Sequence, residues 1–383
     1  MKILFDLVTP QAFLGGAGEY IRRVFFELLC NLEKKIQVVG AIDSTIGKFA
    51  YEDLAPENLA YKNIKCVDLG KNKLSDIVKE HEIDEVFIGA AQYWGARYKV
   101  QDLKCRVICV IHDLQDEECG FNNIHLFNKL QSLSKLSFLK YWLRDYPKVN
   151  WNRRMSSIIE LYKSNKNVFL VTVSEYSKYS LRFNYGICNR IDVLYSPQRL
   201  IEEKKVIDNS QLRDLIASRK KYYLLLGGNR PLKNADRVLR AFKAYSENCN
   251  SSGYLVTIGM ETSFFNKHIA LPYLTAGDLN IAYKKCYALL FPSMFEGFGY
   301  PPIEAMQYGK PILASNVTSM PEVCGDAAIY FSPFYVSDIY RALCKLDNKN
   351  YQEFSKRSLS RYKEVSERQR KDLNLLIKLL TEL

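Results

Sequence analysis

Short apolar runs, rich in β-branched residues, alternate with helical patterns along most of the chain. A first series of such runs lies at residues 3–8, 36–42, 85–90, 106–113 and 168–174. A second series lies at residues 222–228, 254–259, 288–291, 311–314 and 327–331. Continuous apolar runs of this length are typical of strands that are buried on both faces. Because these runs alternate with helices, right-handed crossovers should place the strands in parallel sheets.

A polar and highly charged stretch at residues 198–220 separates the two series. The chain has 383 residues, which exceeds the length at which a single hydrophobic core usually stops growing. We therefore predict an α/β fold with two Rossmann-like, doubly wound domains facing across a cleft, at residues 1–198 and 199–365. The tail from about residue 351 has a helical pattern, and residues 366–383 are predicted to pack back towards the N-terminal domain.

The formal net charge of +12 favours an anionic partner, such as nucleic acid, a phosphorylated substrate or an acidic membrane surface. Nucleic acid is disfavoured, because no helix-turn-helix, zinc or single-strand-binding signature accompanies the charge. Ten scattered cysteines and four histidines give no zinc-like spacing, and we expect the thiols to be reduced. The chain shows neither a signal-peptide pattern nor a spanning apolar run, which predicts a cytoplasmic protein.

A glycine-rich loop, GGAGEY at residues 15–20, follows the first apolar run. Gly15 and Gly16 would let the backbone approach a phosphate, and the next helix would offer its N-terminus to an anion. The spacing departs from GxGxxG, because Ile21 stands at the sixth position counted from Gly16. A plain tight turn therefore explains this loop equally well.

The stretch LLLGGNRPLKNADRVLRAF at residues 224–242 ends a strand in two glycines, the second of which is Gly228. Arg230 and Lys233 stand in the following loop, and Asn234 is predicted to cap the next helix. Two cations and a helix N-terminus at one place would hold a diphosphate by charge-assisted hydrogen bonds. The alternative is a pair of solvated surface charges.

Two glutamates, Glu296 and Glu304, flank a second glycine-rich loop. Gly297 and Gly299 would let backbone N–H groups face a ligand, and the tandem prolines that follow suit a helix start. We predict Glu304 in the first helical turn. Carboxylates accept hydrogen bonds from vicinal hydroxyls, so one glutamate could hold each ring of a nucleotide sugar. The alternatives are an exposed loop acid for Glu296 and a helix-dipole role for Glu304.

The segments EGFGYPPIEAMQYGKPILAS and PEVCGDAAIYFSP resemble the signature of glycosyltransferase family 4. Other motifs match in order, namely the N-terminal glycine loop, the His112-Asp113 pair, VTVSEYSKYSL and GGNRPLKN. The resemblance covers most of the chain and is strongest at residues 222–333. It implies a GT-B fold and a retaining glycosyltransferase that uses a nucleotide-diphosphate sugar. It also implies no metal or other cofactor, and the chain contains no Asp-x-Asp motif.

The resemblance also implies roles for individual residues. The diphosphate would be bound and stabilised as the leaving group by Arg230 and Lys233, although Leu232 occupies the position of the family's arginine. The implied catalytic residues are His112, Glu296, Lys233 and Arg230. The implied donor-binding residues are Gly15, Gly16, Gly228, Arg230, Lys233, Glu296, Gly297, Phe298, Gly299 and Glu304. Among these, Glu304 would bind the ribose, and Glu296 with the three residues after it would hold the transferred sugar. His112 would reach that sugar from the opposite domain, whereas an arbitrary histidine is more often a core or capping residue.

Basic and aromatic residues are interleaved between residues 129 and 154. This composition suits an anionic membrane interface or a lipid-diphosphate acceptor. We therefore predict a peripheral contact of residues 129–154 with the inner face of the cell membrane. The alternative is an ordinary amphipathic surface with solvated charges.

Together these features predict a hexosyltransferase that acts on a glycan or lipid-linked glycan acceptor in surface polysaccharide synthesis. GDP-mannose or a UDP-hexose is the favoured donor. One alternative is a nucleotide-sugar epimerase on the same fold. The other is a non-catalytic, nucleotide-sugar-binding subunit of a transferase complex.

Overall fold

The computed structural model describes residues 1–12, 15–32, 35–46, 64–118, 151–199, 206–249 and 253–382. These residues form two compact units. The first unit contains the described residues between 1 and 199 together with residues 368–382, and the second contains residues 206–367.

The first unit is built on a parallel sheet. Its strands are β1 (Lys2–Asp6), β2 (Gln37–Ile42), β3 (Lys65–Asp68), β4 (Glu85–Ile88), β5 (Arg106–Ile111), β6 (Val168–Thr172) and β7 (Asp192–Val193). Their order in the sheet is β3-β2-β1-β4-β5-β6-β7. In the register, Ile3 pairs with Val38 of β2 on one side and with Glu85 of β4 on the other. The strand order reverses between β1 and β4, which makes their carboxyl ends the topological switch point of this unit.

Helices alternate with these strands, and the longest of them, Gly16–Cys30, buries an apolar stripe. They are α1 (Val8–Ala12), α2 (Gly16–Cys30), α3 (Leu74–Glu80), α4 (Ala91–Arg97), α5 (Gln115–Glu118), α6 (Trp151–Ser164) and α7 (Glu175–Tyr185). The boundaries of α7 follow ordinary capping chemistry. The Ser174 hydroxyl accepts a hydrogen bond from the Ser177 N–H, and Gly186 ends the helix with a φ of 63°.

The second unit repeats the plan. Its strands are β8 (Tyr222–Leu226), β9 (Tyr254–Ile258), β10 (His268–Leu271), β11 (Ala288–Phe291), β12 (Ile312–Ser315) and β13 (Ala328–Phe331). All neighbours are parallel, in the order β10-β9-β8-β11-β12-β13. The strand order reverses between β8 and β11, so their carboxyl ends form the switch point of this unit.

The helices of the second unit are α8 (Ser210–Ala217), α9 (Ala235–Asn248), α10 (Ala276–Lys285), α11 (Tyr300–Met306), α12 (Met320–Cys324), α13 (Val336–Lys345) and α14 (Tyr351–Thr381). The last of these is a single helix of 31 residues, whose final turns are counted with the first unit. There, the Asp372 carboxylate accepts a hydrogen bond of 2.8 Å from the Tyr195 N–H. Arg106 donates a bond of 2.8 Å to the Leu379 carbonyl near the end of the helix. These bonds satisfy carbonyls and N–H groups that would otherwise lack partners.

The predicted α/β fold with two Rossmann-like parallel sheets is confirmed. The strands that the sequence did not predict are β3, β7 and β10, which all lie at sheet edges or next to polar loops. Polar residues interrupt the apolar pattern of two of these strands, namely the exposed Lys65 in β3 and the buried His268 in β10. No helix of the described residues is long and apolar enough to cross a membrane.

Candidate functional site

A buried carboxylate bridges the switch point of the first unit. Asp6 ends β1, is fully buried, and accepts a hydrogen bond of 3.0 Å from the Gly89 N–H just after β4. The backbone N–H and the hydroxyl of Thr9 donate two further bonds to it, at 2.9 and 2.8 Å. Burial raises the pKa of Asp6 to about 6, against the lowering effect of these bonds. A side chain at Gly89 would clash with Ile21, so a glycine is required for this close approach.

His112 immediately follows β5 and is held by the same loop. Its Nε2 lies 2.8 Å from the Gly89 carbonyl oxygen, which can only accept, so Nε2 carries the proton and Nδ1 is an acceptor. The Tyr20 ring meets the imidazole edge-on at 4.9 Å between centroids. Burial lowers the pKa of His112 to about 4, so the ring is neutral at pH 7. His112 is thus a fixed, uncharged hydrogen-bonding group at the carboxyl edge of the sheet.

The predicted glycine loop lies at the start of α2. Gly15 occupies the N-cap position with a φ of −98°, and its carbonyl accepts the Glu19 N–H at 3.0 Å. Gly16 is the first residue of the helix, which therefore begins within the glycine-rich loop. A Cβ added at Gly15 would meet no atom of the described residues within 4 Å. Packing among the described residues therefore does not explain why a glycine stands at this position.

An ion pair bridges the switch point of the second unit. Lys233 follows β8 and Glu296 follows β11, and the Lys233 Nζ pairs with the Glu296 Oε1. Their side chains are only 14% and 15% exposed. The Ser293 hydroxyl donates a bond of 2.5 Å to the same Oε1, and the Nζ lies 4.9 Å from the centroid of the Phe291 ring. Of the residues predicted from sequence, these two are in direct contact.

The loop that carries Glu296 is fixed by the loop that follows β12. The Ser319 hydroxyl lies 3.0 Å from the Glu296 carbonyl and 3.1 Å from the Phe298 carbonyl. The Ser315 hydroxyl donates a bond of 2.6 Å to the Ser293 carbonyl. Gly299 has a φ of 98°, and a Cβ there would clash with the Met320 side chain. Gly297 and Phe298 are buried within the same loop. A left-handed backbone and a tight contact thus require the glycine at 299.

Arg230 and Gly228 lie beside Lys233 in the loop after β8. A Cβ added at Gly227 would lie 3.2 Å from the Lys233 Cγ and 3.6 Å from the Arg230 Cδ, so both basic side chains flank this glycine. The Arg230 side chain is exposed, and it makes no hydrogen bond or ion pair within the described residues. Gly228 donates its N–H to the Ile258 carbonyl at 2.9 Å, and a side chain there would clash with Met260.

Asn234 stands at the N-cap of α9, as predicted, but the side-chain bond typical of an N-cap is absent. Its backbone is left-handed, with a φ of 58°. Its amide instead donates to the Pro333 carbonyl at 2.7 Å and to the Pro292 carbonyl at 3.3 Å. The side chain therefore ties together the loops that follow β8, β11 and β13.

The prediction that Glu304 lies in the first turn of its helix is wrong. The helix α11 begins at Tyr300, because the two prolines occupy its first turn instead of preceding it, and Glu304 is its fifth residue. Glu304 is half-buried and accepts a hydrogen bond of 2.6 Å from the Tyr283 hydroxyl. A helix-dipole role no longer accounts for this carboxylate.

Several residues of these sites were not predicted from sequence. They are Asp6, Gly89, Tyr283, Ser293, Thr318 and Ser319. For Asp6 a signal was present, because an acid inside an otherwise apolar strand is rarely buried without a role. The other hydroxyl-bearing residues carry no charge or spacing that distinguishes them from ordinary loop residues.

Most of the basic stretch predicted to contact a membrane, residues 129–150, lies outside the described residues, and the remainder begins α6. Among the described residues there is no group of three or more His, Cys, Asp and Glu side chains that could hold a metal ion.

Comparison with known proteins finds a family model and curated relatives that are similar to this chain. Residues 207–358 match the family model described as glycosyl transferases group 1. The serotype-specific mannosyltransferase WbdA of Escherichia coli is 24% identical over 91% of this chain and 44% of its own length. The O-antigen chain mannosyltransferase RfbU of Salmonella typhimurium is 30% identical over 41% of this chain and 47% of its own length. The chain thus spans less than half the length of either curated relative.

Solved structures match over the entire chain. The glycosyltransferase WaaG, involved in lipopolysaccharide biosynthesis, superposes with a TM-score of 0.65 at 14% identity, covering 100% of both chains. Anabaena HepE in complex with UDP-glucose gives a TM-score of 0.66 at 15% identity, again covering 100% of both chains. At this identity the likeness establishes the fold. The chain therefore has the fold of the GT-B glycosyltransferases, and its residues 207–358 are similar to the glycosyl transferases group 1 family.

Proposed function

We propose that this protein is a retaining glycosyltransferase that moves a hexose from a nucleotide-diphosphate sugar to a glycan or lipid-linked glycan. The observation that carries the proposal is the Lys233–Glu296 pair at the switch point of the unit that is similar to the glycosyl transferases group 1 family. A cation there can bind a diphosphate, and a carboxylate beside it can accept hydrogen bonds from the hydroxyls of the attached sugar.

The donor would lie along the carboxyl edge of the second sheet. Lys233 and Arg230 would bind the diphosphate, and the backbone of Gly297, Phe298 and Gly299 would line the sugar. Glu304, oriented by Tyr283, would accept hydrogen bonds from the ribose hydroxyls. The proposed order of sugar and ribose contacts is supported by the positions of the two glutamates. Glu296 lies on the loop after β11, and Glu304 lies in the helix that follows that loop.

The chemistry requires stabilisation of a departing diphosphate. As the bond between the anomeric carbon and the phosphate oxygen breaks, negative charge develops on the diphosphate, and fixed cations lower the barrier. The acceptor hydroxyl attacks the anomeric carbon on the face that the phosphate leaves, and its proton passes to the leaving phosphate oxygen. The new glycosidic bond then keeps the anomeric configuration. Lys233 and Arg230 would supply the positive charge without a metal ion.

His112 would contribute a neutral acceptor to the sugar. Its Nε2–H is committed to the Gly89 carbonyl, so Nδ1 remains to accept a hydrogen bond from a sugar hydroxyl. Its low pKa keeps it uncharged, which avoids repulsion between the ring and the positive charge that develops on the sugar during transfer. Gly15 and Gly16 would allow close approach of the acceptor or the donor phosphates.

Mannose is the hexose we propose, because the curated relatives of this chain include mannosyltransferases, two of them of O-antigen chains. The proposed donor is therefore GDP-mannose, and a UDP-hexose is the second candidate because the neighbour HepE binds UDP-glucose. The product would be a cell-surface polysaccharide, made on the cytoplasmic side of the membrane with residues 129–154 in contact with anionic lipid.

The test begins with a thermal-shift screen of GDP, UDP, dTDP and ADP sugars against the purified chain. A ligand at about a hundred times its dissociation constant should add roughly 2.7 kcal/mol of stability. Product analysis then follows, with the stabilising donor incubated alone or with lipid-linked glycan extracts and with EDTA present. We expect acceptor-dependent transfer with retained anomeric configuration.

Three results would contradict the proposal. An altered sugar from donor alone would indicate an epimerase. Full transfer by Glu296→Ala would remove this site from catalysis. Binding without turnover in any extract, by a chain that is fully folded, would support the non-catalytic subunit.

A further inference from the structure

A threonine beside the candidate donor site has a backbone conformation that threonine rarely adopts. Thr318 lies between β12 and α12 with a φ of 56°, in the left-handed region. A β-branched side chain is a genuine outlier there, because its Cβ substituents crowd the backbone. Such strain persists only when the surrounding structure holds it, and it tends to occur at functional sites.

The strained residue contacts the backbone of Glu296. The Thr318 hydroxyl accepts a hydrogen bond of 3.3 Å from the Glu296 N–H and donates one of 2.8 Å to the Val317 carbonyl. The next hydroxyl, on Ser319, lies 3.0 Å from the Glu296 carbonyl. The left-handed turn therefore places the Thr318 hydroxyl beside the Glu296 N–H and the Ser319 hydroxyl beside the Glu296 carbonyl.

The change of chain direction at this turn does not itself require threonine. The change of direction into α12 needs only a positive φ, which glycine adopts without strain. Threonine adds a hydroxyl at the cost of strain. Within the described residues, that hydroxyl bonds only to the Val317 carbonyl and the Glu296 N–H.

We propose that Thr318 is a positioning residue, whose hydroxyl, placed by the left-handed backbone, fixes the Glu296 backbone so that its carboxylate stays directed at the sugar of the donor. The inference rests on the proposed function, in which Glu296 holds that sugar. Thr318 touches neither the diphosphate nor the nucleoside in this scheme. Its loss should therefore weaken recognition of the sugar and leave recognition of the nucleoside diphosphate intact.

Two substitutions separate the hydroxyl from the strain. Thr318→Gly removes both, and Thr318→Ser keeps the hydroxyl while relieving the crowding at Cβ. The matched control is Arg219→Gly, in the same unit, because Arg219 is exposed and also left-handed, with a φ of 51°. The control relieves a left-handed backbone without touching the candidate site.

The measurements are melting temperature, dissociation constants and single-turnover transfer for the full chain. The probes are GDP and GDP-mannose, with UDP and UDP-glucose in parallel. For Thr318→Gly we expect a melting temperature that is unchanged or higher by about 2 °C. The dissociation constant for the nucleotide sugar, relative to that for the nucleoside diphosphate, should rise about tenfold, as for one lost hydrogen bond. Transfer should slow by about ten- to a hundredfold.

Thr318→Ser should keep wild-type binding and transfer, and Arg219→Gly should change only the melting temperature. Wild-type binding and transfer by Thr318→Gly would overturn the inference and leave the proposed function standing. Equal weakening of the nucleoside diphosphate and the nucleotide sugar would also overturn it, because Thr318 would then be a purely structural residue. A wild-type chain that binds none of the four probes would defeat both this inference and the proposed function.

Discussion

The two units have the same topology at their switch points, but different groups connect the ends of the two central strands. In the first unit the bridge is a fully buried carboxylate, Asp6, bound to the Gly89 N–H at the end of the neighbouring strand. In the second unit the bridge is an ion pair between Lys233 and Glu296, whose side chains extend from loops beyond the strand ends.

The difference lies in what each bridge leaves for a ligand. The first bridge fixes a backbone carbonyl, that of Gly89, which in turn fixes a neutral imidazole, so this edge offers directed hydrogen bonds without charge. The second bridge holds a cation and an anion near the surface. There a diphosphate could replace Glu296 as the partner of Lys233, and a sugar hydroxyl could replace Lys233 as the partner of Glu296. A shared topology therefore determines where a ligand binds. The residues that follow the strands determine which chemistry is available.

The largest effect should come from removing the cation of the second bridge. Lys233→Met should lower kcat for transfer by about 10²- to 10³-fold, as expected for a donor that stabilises developing charge. It should also lower the free energy of unfolding by about 1–3 kcal/mol, because Glu296 loses its partner while mostly buried. Steady-state kinetics and urea unfolding measure the two effects.

Two further variants isolate the pair. Lys243→Met, at an exposed position on α9, should leave both quantities unchanged. Lys233→Met combined with Glu296→Gln should recover stability without recovering transfer, because the unpaired charge is gone and the diphosphate still lacks its cation. A kcat within threefold of wild type for Lys233→Met alone would show that the second bridge is structural, like the first.

The next effect tests whether protonation of Asp6, the first bridge, changes the stability of the folded protein. The pKa of Asp6 is raised from 3.8 to about 6 in the folded protein, so the folded state takes up this proton at a higher pH than the unfolded state. Asp6 therefore adds stability as the pH falls from about 6 towards 3.8, by up to about 3 kcal/mol. Asp6→Asn cannot titrate. The stability of wild type relative to this variant should consequently grow over that range.

Urea unfolding of both proteins between pH 4 and pH 8 provides the measurement. His112 acts in the opposite direction, because its pKa of about 4 makes the folded state resist protonation as the pH falls below 6.5. That contribution is common to both proteins, and it cancels in the difference between them. Parallel stability curves would mean that Asp6 does not carry the proton in this range.

How much of this could be predicted from sequence differs between the two bridges. Both members of the second bridge were singled out from sequence, though not as an ion pair, because Lys233 and Glu296 are charged residues in glycine-rich loops directly after apolar runs. The first was missed although the acid inside the apolar run ILFDLV was a signal, because its partner is a backbone N–H, which leaves no trace in residue type.

The finer geometry could not be predicted, because it depends on backbone conformations that residue preferences disfavour. Asn234 and Thr318 are both left-handed, with φ values of 58° and 56°. Capping statistics assume an extended N-cap residue, so they gave Asn234 the wrong hydrogen bonds. For Thr318, intrinsic preferences argue against the conformation that tertiary contacts impose. The helix start at Tyr300 depends in the same way on how a proline pair is accommodated.

A smaller effect tests Glu304, the second carboxylate of the unit that contains the second bridge. Tyr283→Phe removes the hydroxyl that orients this carboxylate, so the dissociation constant for GDP or UDP should rise about tenfold. The matched control is Tyr222→Phe, which removes a buried hydroxyl bonded to the Ala282 carbonyl at 2.7 Å. Both variants should lose about 1 kcal/mol of stability, and only the first should lose affinity. Isothermal titration with the nucleoside diphosphate distinguishes them, and equal affinities would separate Glu304 from the ribose.

The smallest effect concerns the first unit, where Gly15 and Gly186 provide a matched pair. A Cβ at either position would meet no atom within 4 Å in the part of the chain that the structure describes, but Gly186 has a φ of 63° and Gly15 has an ordinary φ of −98°. Gly186→Ala should therefore cost about 1 kcal/mol of stability through backbone strain and leave transfer unchanged. Gly15→Ala should leave the free energy of unfolding within about 0.5 kcal/mol of wild type.

If Gly15 serves close approach to the acceptor or the donor phosphates, its variant should slow transfer about fivefold through steric contact with a ligand that the fold itself does not need. Thermal unfolding and single-turnover transfer measure the two quantities on the same preparation. Wild-type transfer by Gly15→Ala would leave the loop as a plain turn. The first unit would then contribute to the reaction only through the uncharged groups that Asp6 and Gly89 hold in place.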